Sequence, residues 1–103
     1  MLRPISSEVG RFRWLSGSVD VIEEIRRSAA VRGALARAPG GAAELLDPRP
    51  FVRVRVVYGR AVAVTQTHVL HEWVRHGQYH CRWDEKWQVQ RVSAEEWAGE
   101  SLD

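Results

Sequence analysis

The sequence predicts an α+β domain, with an N-terminal helix packed on a curled antiparallel sheet of four to five strands. Three observations carry that prediction. The stretch from Val19 to Ala38 is rich in Ala, Glu and Arg, with acids ahead of bases. Pro48 and Pro50 then exclude both a helix interior and a central strand. Beyond them Val, Thr, Tyr and Trp replace Ala and Glu, which is strand composition. With 103 residues there is room for one core, so the chain reads as one domain, 1–103. Its parts are a helical segment 1–47, an antiparallel segment 51–92 and a short C-terminal turn or helix at 93–103.

Taken in order, Ser16-Gly17-Ser18 looks like a helix start, with Ser18 or Asp20 as the cap. Glu23 can meet Arg27 one turn later, and Ile22, Ile25 and Ala29 form a thin apolar stripe. Pro39-Gly40-Gly41 ends the helix, and Ala42 to Leu46 can add one more helical turn. Phe51 to Tyr58 reads as a strand with Val52, Val54, Val56 and Tyr58 on one face, opposite Arg53 and Arg55. Gly59-Arg60 fits a two-residue turn that would pair Val56 with Ala63 and Val54 with Thr65. Residues 61–75 are long for one strand and predict a bulge or bend near Thr65 to Thr67.

His76-Gly77 is the second turn, placing Val74 opposite Tyr79, Trp73 opposite His80, Glu72 opposite Cys81, His71 opposite Arg82 and Leu70 opposite Trp83. Leu70, Glu72, Val74, Tyr79, Cys81 and Trp83 then make a core face with one acid at its margin. A last strand falls within Trp87 to Val92, and Ser93-Ala94-Glu95-Glu96 is a capping box that carries Trp97 into a turn. Trp14 and Trp97 flank the chain ends and are expected to dock them.

A chain 45% hydrophobic and 27% charged is globular rather than disordered. Net charge is only +2, from 15 basic and 13 acidic residues, too little alone to indicate nucleic acid. Lys86 is the single lysine, a usage typical of GC-rich, bacterial-type coding sequence. Cys81 has no partner for an internal disulfide, and Met1 to Ile5 lacks the apolar run of a secretion signal. The expectation is a cytoplasmic protein without a membrane span or a disulfide partner.

The opposite face of the second hairpin carries His71, Trp73, Arg75, His80 and Arg82, which we take as the candidate partner-binding residues. Rings interleaved with guanidinium groups suit protein hot spots, and they also suit stacking of unpaired bases with phosphate contacts. The plainest reading of this face, ahead of both, covers it with the helix, Trp73 packing on Ile22 and Ile25. His68, His71, His76, His80 and Cys81 are the residue types of a metal site, but alternation points Cys81 away from His71 and His80. No metal ligand, cofactor or catalytic residue is assigned: the chain has no Gly-rich phosphate loop, HExxH or GxSxG, and Glu72 beside Cys81 would raise the thiol's pKa.

In layout alone, residues 51–92 resemble a small SH3-type or Tudor-like barrel, which implies a curled and closed sheet but no site residues. The functional expectation is a non-enzymatic binding or accessory module acting in protein–protein interaction, self-association through an edge strand included. Binding of single-stranded DNA or RNA is the alternative, and a metal-assisted enzyme using the His cluster is the third.

Overall fold

The computed structural model describes the backbone of residues 9–103 and the side chains from residue 21 onward. The expectations placed on Met1 to Ile5 and on the Trp14 side chain lie outside these residues. One helix and one antiparallel sheet make up the described chain, the α+β arrangement with an N-terminal helix.

Helix α1 spans Val9–Ala36, so it begins upstream of the expected start at Ser16 to Ser18 and runs through those residues. Its end falls where the sequence placed it. The Arg37 and Ala38 amides donate to the Ala34 and Leu35 carbonyls, tightening the last turn ahead of Pro39. The chain divides into two compact units, Met1–Ala30 and Val31–Asp103. In the first, Arg27 Nε donates to Glu23 Oε2 at 3.1 Å, the expected pair one turn apart, while Val21, Ile22 and Ile25 are exposed.

The second unit contains the end of α1 and the whole sheet. Strands β1 (Glu44–Leu45), β2 (Phe51–Val54), β3 (Val57–Val64), β4 (His68–Arg75), β5 (Gln78–Glu85) and β6 (Gln90–Arg91) form a sheet ordered β5-β4-β3-β2-β6, with β1 also paired to β3. Residues 42–46 therefore add a short strand where a helical turn was expected. Lys86–Gln88 form a 3-10 turn between β5 and β6. These two outermost strands do not pair with each other, so the sheet is open and the expected barrel closure is absent.

The first hairpin departs from expectation. Its turn is Arg55-Val56, with Val54 opposite Val57 and Val52 opposite Gly59, and Arg55 has φ 57°. Gly59 lies inside β3 because β4 packs so closely there: a Cβ at this position would collide with the Glu72 carbonyl oxygen and lie 2.6 Å from His71 Nε2. The glycine thus serves close approach, not a turn. Val56, expected in the core, is 82% exposed at the tip.

Where one bent strand was expected over 61–75, the chain reverses. The Thr65 hydroxyl accepts the Thr67 and His68 amides at 3.3 and 3.0 Å, and the Thr65 amide donates to the His68 carbonyl, closing a turn between β3 and β4. A bulge does occur, but earlier, between Ala61 opposite His71 and Ala63 opposite Leu70.

The second hairpin has the predicted register at every pair from Leu70–Trp83 to Val74–Tyr79. His76 and Gly77 have φ 53° and 76°, the mirror-image turn that matches strand twist. The Glu100 carboxylate accepts both turn amides, from His76 at 2.6 Å and Gly77 at 3.1 Å, which holds its carboxyl below the usual range.

Ala34, Val62, Ala63 and Leu70 form the core cluster, flanked by Val31, Leu35, Ala43, Cys81 and Trp83. Trp83 Nε1 donates to the Ala34 carbonyl at 2.8 Å, a second bond on a helix-end acceptor that also takes the Arg37 amide. The end of α1 therefore packs on the Leu70 and Trp83 face, as expected for the core. Toward the C-terminus the Ser93 hydroxyl accepts the Glu96 amide at 3.3 Å, the capping-box bond, and delivers Trp97 to pack at a tilt against Phe51 and donate to the Gly59 carbonyl.

Candidate functional site

Strand alternation and the two-residue turn put His71, Trp73 and Arg75 on β4 beside His80 and Arg82 on β5, on one face. All five candidate residues are thus neighbours, but they are not equally accessible. His71 is buried, Trp73 and His80 are half-buried, and Arg75 and Arg82 are exposed. The His71 and Trp73 rings lie 4.7 Å apart, and the His80 ring stacks on Trp73 at 5.2 Å with 19° between planes. The Arg82 guanidinium lies 5.2 Å from the Trp73 ring centroid. Such a stack aligns an amphipathic ring with a cation over it.

Asp84, read from sequence as part of a polar connection, proves to organise this face. It is buried at the end of β5, accepts from Arg82 Nε at 3.0 Å and pairs with His71 Nδ1 at 3.3 Å. The signal was available, since alternation from Arg82 already places residue 84 on the same side. Ile22 and Ile25 belong to the first unit, and within the second unit the helix residues lie on the Leu70 face.

His71 Nε2 is buried without a hydrogen-bond partner, in the space that Gly59 leaves free. Burial pushes the imidazole pKa below 6.5, and the nearby Arg82 acts in the same direction, while Asp84 and Glu72 oppose it. Since the unfolded chain takes up a proton at a higher pH than the folded one, His71 weakens the fold as pH falls below about 6.5 toward its folded value. We expect a denaturant midpoint that declines from pH 7 to pH 5, with a shallower slope in His71→Gln. The same slope in both proteins would place the titration elsewhere.

On the opposite face Glu72 is not the marginal acid the sequence suggested but 2% exposed. Arg49 Nη1 donates to both its oxygens at 3.1 Å, Arg60 Nε to Oε2 at 3.2 Å and the Tyr79 hydroxyl to Oε1 at 2.7 Å. Burial, then Glu72, pushes the Tyr79 hydroxyl far above its usual range, and burial likewise raises the Cys81 thiol. A raised thiol is a weak nucleophile at neutral pH. The cue missed in the sequence was that an acid inside an apolar face requires counter-charges, which Arg49 and Arg60 supply.

Among the candidate metal ligands, His71 and His80 share one face of the sheet and Cys81 lies on the other. His71 faces Asp84, His80 stacks on Trp73, and Cys81 joins the Leu70 cluster on the other face. Among the described residues no group of three His, Cys, Asp or Glu is placed to hold a metal ion, and no helix is long and apolar enough to cross a membrane. Comparison with protein-family models, curated proteins and solved structures finds no match for this chain.

Proposed function

We propose that this chain is a non-enzymatic protein-interaction module of a bacterial-type cytoplasmic protein, and that it takes a partner segment along β5. One observation carries the reading: the Trp73, His80 and Arg82 stack adjoins the eight-residue edge strand β5, whose outer side no other strand of the described residues pairs. An extended segment added there gains main-chain hydrogen bonds from the edge and side-chain contacts from the face. Trp and Arg are the side chains on which binding energy concentrates. A partner strand with an apolar residue over Trp73 and an acid near Arg82 and Arg75 fits this chemistry, and a second copy of the chain is one such partner. The lone Cys81 accords with a reducing compartment.

The test is affinity capture from the native cell with identification of the retained protein, accompanied by light scattering for self-association. Arg82→Ala removes an exposed side chain and should keep the fold while lowering affinity for the identified partner about tenfold, the order of one hot-spot contact. Trp73→Ala should lower it further. Undiminished binding by a folded Arg82→Ala protein would move the interface away from β5.

A further inference from the structure

Strand β5 is an edge strand whose charges are arranged as their own complement. In a hairpin closed by two residues of positive φ, the pair beside the turn exchanges both main-chain bonds, and every second pair beyond it does the same. The bonded pairs are therefore Arg75–Gln78, Trp73–His80, His71–Arg82 and Val69–Asp84. The Lys86 amide, which donates to the Thr67 carbonyl, continues that phase. Residues in the opposite phase, Cys81, Trp83 and Glu85 among them, aim their N–H and C=O groups away from β4. No strand of the described residues lies on that side. The end of α1 packs on the Leu70 face, against Val62 and Ala63 of β3 and Leu70 of β4.

Arg82 and Asp84 share the other face, with Arg82 Nε on Asp84 Oδ1 at 3.0 Å. A second β5 laid antiparallel along the edge, related by a two-fold axis normal to the sheet, keeps every residue on its own face. The axis must then pass through a residue of β5. Through Trp83, it sets Arg82 opposite the partner's Asp84 and Asp84 opposite the partner's Arg82, so the two ion pairs close into a square of alternating charge. Through Arg82 or Asp84 it sets like charges directly opposite each other, which is destabilising. Through Cys81 it leaves Arg82 opposite the partner's His80 and Asp84 opposite the partner's Gln78. Charge thus selects Trp83. In that register Cys81, Trp83 and Glu85 meet the partner's Glu85, the partner's Trp83 and the partner's Cys81, all of them in the outward phase, for about six main-chain bonds.

We infer that the chain pairs with a second copy of itself through β5, antiparallel and centred on Trp83, so that two sheets become one. The pairing rests on the β5 edge proposed above as the interaction site, and it supplies the acid beside Arg82 from the partner's Asp84. It also brings the Trp73 and His80 rings of both copies onto one continuous face.

The experiment begins with sedimentation of the full chain from about 10 µM to about 1 mM, where a concentration-dependent dimer is expected. In a mixture of isotope-labelled and unlabelled chain, filtered NMR should show a close Hα–Hα contact between Arg82 and the partner's Asp84, as in a non-bonded antiparallel pair. Glu85 has φ −66° and ψ 143°, which proline adopts, and its amide points outward. Glu85→Pro should therefore keep the fold and raise the dimer dissociation constant at least about tenfold, while Glu85→Ala, which retains the amide, should change it less than about threefold. A chain that stays monomeric at about 1 mM overturns the self-pairing. If that monomer still retains a cellular protein through Arg82, the β5 site stands with a different partner. A dimer indifferent to Glu85→Pro, or one whose Hα contact falls on another pair, overturns the inference. Capture that is indifferent to Arg82→Ala is instead the result that removes the β5 site. Should Glu85→Pro fail to fold, the Hα contact decides alone.

Discussion

Gly59→Ala is expected to remove a large share of the fold's stability near room temperature. The added methyl group would run into the Glu72 carbonyl oxygen, a main-chain atom held in the β3–β4 ladder, and would press on the buried His71 ring at 2.6 Å from Nε2. Neither obstacle is the free end of a flexible side chain. Relief requires separating two central strands, which breaks the pairing of Arg60 with Glu72 and Ala61 with His71. Forced overpacking of this kind costs about 4 kcal/mol or more when the backbone has to move. A domain of this size has roughly 5–15 kcal/mol in total. Circular dichroism melts and dispersion of the amide spectrum provide the measurement. A variant that melts within about 5 °C of the parent protein, the effect of only about 1 kcal/mol, would show that β3 and β4 have room that the structure denies them.

Glu72→Ala is expected to remove about 3 kcal/mol, or roughly 10–20 °C of melting temperature in a domain this small. The carboxylate is 2% exposed and accepts hydrogen bonds from Arg49, Arg60 and Tyr79. Its loss leaves the Tyr79 hydroxyl without that acceptor and two guanidinium groups facing each other without their shared counter-charge. Those guanidinium groups retain some solvent, with side chains 39% and 26% exposed, which keeps the effect below that of a fully buried pair. Arg60→Ala and Arg49→Ala should therefore each cost less than Glu72→Ala, and a double-mutant cycle between positions 60 and 72 should show coupling. A change within about 0.5 kcal/mol, typical of solvated surface acids, would return Glu72 to the marginal role suggested by its place in the sequence.

These two residues mark where sequence reasoning stops. The second hairpin was legible pair by pair because His76-Gly77 dictates a two-residue turn, and a turn of known length fixes every opposition along both strands. The capping box at Ser93 and Glu96 and the helix end before Pro39 were legible for the same reason: each is a local device whose chemistry lies within a few residues. The first hairpin was not. Gly59 offers the same turn chemistry as Gly77, and only the approach of β4, a non-local contact, reveals that it sits inside a strand while Arg55 takes the positive φ. The Glu72 cluster depends on Arg49 from the proline-rich joint and Arg60 from β3, whose convergence needs the completed sheet. The candidate face was likewise half visible. Alternation grouped His71, Trp73, Arg75, His80 and Arg82, but it could not show that His71 is sealed beneath the others with Asp84 against it.

The bulge in β3 has a consequence for the kind of change this fold can absorb. Before it, Ala61 shares the side of His71. After it, Ala63 shares the side of Leu70, and Val62 joins Ala63 in that same cluster. One supernumerary residue thus shifts the phase of the strand, and a single element supplies small side chains to both surfaces of the sheet in turn. Substitutions at 61, 62 or 63 alter volume at one point and can be accommodated by neighbours. Deleting Val62 or Ala63 would close the bulge: Ala61 would stay opposite His71, the residue left would take the place opposite Leu70, and the flanking side chains would keep their faces while the Leu70 cluster lost one apolar side chain. The extra residue thus acts as a filler, doubling the side chains that one strand delivers to the core where plain alternation would supply one.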